Sequence, residues 1–235
     1  MPEADAPANR VNFLERLVAV EHGEWPRLAM AFAYFFLLLG GYFMLRPLRG
    51  TVAANNSDIL HWLYTGTFLT MLAIVPVFGF LVSRFRRGQF IPAIYAFFIV
   101  HLLLFAAGFE GDATPQWLQR TFYIWLSVFN LFVVSIFWSF MSDLFNKEQA
   151  PRLFGFIAMG SSVGAIAGPL LAAMTVDIVD ARQLMLISAT MLLMPVPIFF
   201  VLQRLKIVAL GNASQATDIS QQTLGRNPFS GFALF

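Results

Sequence analysis

The residues best placed for chemistry are Arg46 and Arg49, in the stretch "GGYFMLRPLRG" at the end of a run that otherwise reads as a membrane span. Three residues apart, they share one face of a helix, and Tyr42 lies four before Arg46 on the same face. An arginine at the centre of a bilayer costs about 2.5–3.5 kcal/mol. A leucine or phenylalanine recovers only about 0.3–0.6 kcal/mol. Two outcomes therefore compete. The pair can snorkel outward to lipid headgroups. Alternatively, it turns inward to a wet cavity and binds an anion, for which the planar guanidinium fork suits phosphate or carboxylate. The second is the working expectation, with Tyr42 and Asn130 lining the path.

Other polar groups fall inside apolar runs. Asn130 lies midway along one and His101 midway along another. Either can serve a transport path or make a structural hydrogen bond between helices. The loop "GFLVSRFRRGQ" places Gly79 one turn before a membrane exit, followed by Arg84, Arg86 and Arg87. Its arginines fix topology; they also suggest an ionic latch, with Arg84 or Arg87 paired to Asp143. An exposed pair contributes at most about 1 kcal/mol, which suits a switch. In "LFGFIAMGSSVGAIAGPLLAAM", Gly155, Gly160, Gly164 and Gly168 provide small residues for close helix packing. Pro169 frees a carbonyl and bends the same helix. No phosphate loop is present, because the stretch lacks Gly-Lys-Ser/Thr and a preceding strand.

These residues must be positioned by membrane helices. Of the 235 residues, 58% are hydrophobic and 12% charged, against about 25% charged in soluble domains. Mean hydropathy is +0.70. Six runs can each cross a bilayer core, which needs roughly 20 apolar residues of helix. They are Leu28–Leu45, Ile59–Val82, Phe90–Phe109, Thr121–Met141, Leu153–Val176 and Gln183–Leu202. None shows the alternation of a barrel strand. Of the 15 Lys and Arg, only Arg46, Arg49, Arg120 and Arg182 fall on one side, so the other side and both termini are expected to be cytoplasmic. Trp25, Trp62, Trp117 and Trp125 are expected at the interfaces.

Residues 1–27 are read as a cytoplasmic tail with a short interfacial helix in "VNFLERLVAV". Residues 28–206 form the bundle. Residues 207–235 read as a cytoplasmic linker, ending on "FSGFALF" as if approaching a further element. The absence of Cys excludes disulfides, thiolate catalysis and Cys-ligated zinc. Three scattered His suggest no metal site. A net charge of +2 without a basic block gives no nucleic-acid footprint. With no nucleophile–base pair in the spans, catalysis and cofactors are not expected.

Six spans, the basic loop and the Gly-Pro fifth span resemble the N-terminal half of a major facilitator superfamily transporter. The family's loop signature is G-x-x-x-D-R-x-G-R-R. "GFLVSRFRRG" keeps Gly79, Arg84 and Arg87, with Ser83 for the acid and Arg86 for a glycine. The fifth span is similar to G-x8-G-x3-G-P-x2-G-G through Gly155, Gly164, Gly168 and Pro169, with Ala172 and Ala173 at the last two positions. "YFFLLLGGYFMLRPLRGTVA" looks like the first span of bacterial ATP/ADP-translocase-like transporters, with Gly50 at their usual acid. The resemblance covers about residues 11 to 235.

It implies an all-α membrane protein whose six transmembrane helices form two inverted three-helix repeats, half of a twelve-helix transporter. It also implies alternating-access transport of a small anionic solute, nucleotide exchange included, in a bacterial inner membrane. The implied partners are lipid and a second six-helix half, missing or in trans. The rival expectation is a non-transporting scaffold that offers its glycine-rich face to a partner helix.

Overall fold

The computed structural model describes residues 24–85 and 87–209. Among these, all regular structure is helical: α1 (Trp25–Met44), α2 (Arg46–Asn55), α3 (Leu60–Arg84), α4 (Arg87–Gly108), α5 (Gln116–Leu144), α6 (Ala150–Thr175), α7 (Ala181–Leu193) and α8 (Pro195–Ala209). Six helical stretches are long and apolar enough to cross a membrane. The interfacial helix expected in residues 11–20 and the linker expected beyond the last helix lie outside the described residues.

The first span differs from its expected length. It runs as α1 and α2 together, Trp25–Asn55, well past Leu45. Pro47 has no N–H to offer the Phe43 carbonyl, so the helix breaks locally without ending. The Leu45 N–H instead donates to the Tyr42 carbonyl at 3.1 Å, and the Arg49 N–H resumes the ladder on Leu45 at 3.1 Å. At 1.5 Å per residue, α1 alone covers about 30 Å, the thickness of the hydrocarbon core. The polar helix α2 thus projects from the far edge of the membrane. The sixth span divides at Met194, ahead of Pro195 and Pro197, with the Met194 N–H still donating to the Thr190 carbonyl at 3.3 Å. Its entry is fixed by a reciprocal cap: Gln183 N–H donates to Asp180 Oδ1 at 2.7 Å, and Asp180 N–H to Gln183 Oε1 at 3.1 Å.

Packing follows two three-span repeats. The first span lies against the fifth (α6), and the fourth (α5) lies against the second (α3). The first also meets the sixth, as the fourth meets the third, while the third packs on the sixth through α4 and α7. Each pairing maps onto another, or onto itself, when spans one to three are exchanged with four to six. Three crossings per repeat place the second repeat upside down relative to the first.

The core is aromatic. Phe35 stacks on Phe137 at 3.9 Å and Trp125 on Phe129 at 5.4 Å. Trp125 therefore sits in a cluster with Phe98, Phe105 and Phe122, away from the interface expected for it. Two polar groups in the core find partners across helices, as lipid favours. The Tyr34 hydroxyl donates to that of Tyr95 at 2.9 Å, and the Ser188 hydroxyl donates to the Gly41 carbonyl at 2.8 Å.

The first and fifth spans approach most closely. A Cβ at Gly160 would lie 2.5 Å from the Phe32 carbonyl oxygen. At Gly164 it would meet Phe36 O at 2.7 Å, and at Gly168 the Gly40 O at 2.5 Å. Steps of four on α6 thus match steps of four on α1. Backbones this close leave no room for any side chain. Gly155 does not join this contact: it is exposed, and a methyl there would have nothing within 4 Å.

Candidate functional site

Two ends of the bundle carry charge. At the first, α2 leaves the membrane beside the start of α5. Arg49 turns into the bundle there. Its Cζ lies 3.9 Å from the centroid of the Tyr123 ring, and its Nε donates to the Tyr123 carbonyl at 3.4 Å. The ring face attracts the cation and the carbonyl fixes its plane. Arg46 takes a different direction. It is exposed, with Cζ 5.1 Å from the Phe43 ring centroid. The sequence placed both arginines on one face; the structure brings only Arg49 against the fourth span.

Tyr42 is buried one turn below, its ring against Phe43 and Phe129. Asn130 follows Phe129 on α5 and is half-buried. It makes no hydrogen bond among the described residues. His101 turns back on its own helix, its Nδ1 2.8 Å from the Phe97 carbonyl.

Sequence reasoning missed three residues at this end: Tyr123, Arg120 and Asn56. Arg120 Nε donates to Asn56 Oδ1 at 2.8 Å, and Arg120 Nη2 to Gln116 Oε1 at 2.9 Å. Among the described residues, no carboxylate pairs with Arg46, Arg49 or Arg120. Among the described residues, these three guanidinium groups are held by neutral groups and rings, without a direct carboxylate contact. Arginines near one another on adjacent spans were the available signal, since Arg120 is one of only four bases assigned to that side.

The opposite end holds the expected latch residues. Gly79 is half-buried within α3, Arg84 at its end is exposed, and Asp143 is half-buried near the end of α5. Arg84 makes no ion pair among the described residues. The Arg87 side chain lies outside them. A further ionic contact among the described residues lies at this end. Glu24, only 3% exposed, accepts from Arg152 Nη2 at 3.3 Å and from Gln149 Nε2 at 2.7 Å. It joins the start of the first span to the start of the fifth, the same two helices that the glycines hold together. Nothing in the sequence flagged it, because 128 residues separate the partners.

The glycine-rich face is occupied as well. Gly160, Gly164 and Gly168 lie against the chain's own first span, which leaves them unavailable to a partner helix. Among the described residues no cluster of His, Cys, Asp or Glu has the makings of a metal site.

The family model for the Major Facilitator Superfamily matches residues 28–232. Comparison with curated proteins and with solved structures returns no match.

Proposed function

We propose, given that this chain belongs to the Major Facilitator Superfamily of membrane transporters, that its solute is an organic or phosphate-bearing anion. The observation that carries this reading is Arg49. It is half-buried, its Cζ set over the Tyr123 ring, and it has no acid partner among the described residues. A guanidinium held rigidly by a ring and a carbonyl keeps donors free for a ligand, since only one of its five N–H groups is used. Tyr42 and Asn130 offer a hydroxyl and an amide deeper along the same helices. Arg46, at the exposed rim, draws anions toward them.

Movement then follows the family's alternating access. The packed glycines let the first and fifth spans move as one body, with the break at Leu45 letting α2 turn relative to it. A second six-helix bundle, in the same protein or in trans, supplies the other wall. The Glu24 contact ties the first span to the fifth within the one body they form, and Arg84, Arg87 and Asp143 form the latch that makes and breaks at the cytoplasmic end. Exchange of nucleotides, in a bacterial inner membrane with both termini cytoplasmic, is the specific form to test first. Full-length protein in proteoliposomes preloaded with ADP should take up labelled ADP or phosphate, and Arg49→Gln should abolish uptake. Equal uptake by the variant would reject the arginine's role. Absence of uptake for every anion in the wild type would reject the solute class.

A further inference from the structure

Arg120 is left unused by the site just described, yet it is the most firmly held of the three arginines. It stands one turn before Tyr123 on α5, so the two share a face. Its Nε is fixed by Asn56 and one Nη2 hydrogen by Gln116. Asn56 is itself 1% exposed, and its amide nitrogen donates to the Val52 carbonyl at 3.0 Å. That bond settles which way the amide points and keeps its oxygen toward Arg120. Among the described residues both hydrogen-bond partners of Arg120 are neutral, so they orient its charge without neutralising it. Two of five N–H donors are used; the rest are on a half-buried side chain that solvent and ligand can reach.

The spacing on the two helices defines a seam. Arg49 and Asn56 are seven residues apart, two turns on one side of the first span, about 10 Å along its axis. Tyr123 and Arg120 are about 4.5 Å apart along the antiparallel α5. Arg49 grips Tyr123 and Asn56 grips Arg120, so the two guanidinium groups follow one another along the seam between the two helices. A ligand with one small charged group meets one of them; a ligand with several meets both.

We infer that Arg120, positioned by Asn56, is a second binding arginine of this site, and that it selects anions bearing two or more charged groups over those bearing one. The inference rests on the anion reading above and adds a specificity residue to it. The test is calorimetric titration of full-length protein in nanodiscs with sodium tripolyphosphate and with orthophosphate, at physiological ionic strength. Wild type should bind tripolyphosphate tighter by about tenfold or more, the worth of an added charge-assisted contact.

In Arg120→Gln the ratio should fall to about twofold or less while orthophosphate affinity is kept, consistent with one lost contact. Asn56→Ala should give an intermediate ratio, because the charge remains and its aim is lost. Loss of melting temperature with the ratio unchanged would reduce both residues to a structural brace and overturn the inference. Should Arg120→Gln fail to fold, the wild-type ratio and Arg120→Lys decide: equal affinities for the two anions, or a ratio kept in full by lysine, would overturn it. Binding through Arg49 with no dependence on Arg120 refutes this inference alone. No binding of either anion refutes the anion reading with it.

Discussion

At the residue scale, a guanidinium is useful when its direction is fixed and its charge is left open. Tyr123 does both for Arg49, by ring face and carbonyl. Tyr123→Phe keeps ring and carbonyl, so anion affinity should stay within about twofold of wild type, since a cation–π contact survives the change. Tyr123→Ala removes the ring and should weaken binding about five- to thirtyfold, corresponding to about 1–2 kcal/mol. Titration of both variants checks the pair of outcomes. Arg49→Lys should rescue little, because an ammonium cannot lie flat on the ring or fork to an anion. The sequence made Arg49 legible by type and depth, yet not by direction. Arg46 and Arg49 share a helical stripe on spacing alone, and only the neighbouring α5 separates their roles. Asn56 and Arg120 were illegible for a simpler reason: they stand 64 positions apart, and neither type signals a contact at that distance.

At the element scale, the long apolar runs made six spans readable, since each run is about as long as a bilayer is thick. Two features escaped. The first span continues for ten residues as α2 because Pro47 costs one hydrogen bond and leaves the helical dihedrals intact. The glycines of α6 were legible as small residues, but their partner was not. Gly160, Gly164 and Gly168 meet backbone atoms of the first span, whereas Gly155, of the same type and on the same helix, meets nothing. This contrast makes a prediction. Gly164→Ala would push a methyl into Phe36 O at 2.7 Å and Gly40 N at 2.8 Å. Backbone cannot rotate aside, so the cost should be about 1–3 kcal/mol. Gly155→Ala should be neutral or slightly stabilising, because alanine favours helix over glycine. Unfolding of detergent-solubilised protein, followed by helical circular dichroism, distinguishes the two. Equal losses would show that the contact between the first and fifth spans is looser than described.

At the scale of the whole molecule, charge is divided between the two ends, and each end has its own task. One end holds three arginines with no acid partner among the described residues; the other ties the first span to the fifth through Glu24, Gln149 and Arg152. Glu24→Ala leaves that buried cluster without its acceptor and should destabilise by about 1–3 kcal/mol, less than a fully buried pair would, since Arg152 is partly solvated. Thermal unfolding measures it. Which end faces the cytoplasm is testable in a chain without cysteine. A cysteine at Ala113 should react with an impermeant maleimide on intact cells, and one at Lys147 should react only after permeabilisation. The reverse pattern would invert the proposed topology. All of these assignments depend on the arginine end meeting a solute. The most direct measurement is orthophosphate and ADP titrated into full-length protein in nanodiscs, wild type against Arg49→Gln, with melting temperature followed in parallel. Affinity should fall about tenfold or more at an unchanged melting temperature. Superimposable isotherms would mean that Arg49 serves the lipid boundary and that the solute binds elsewhere.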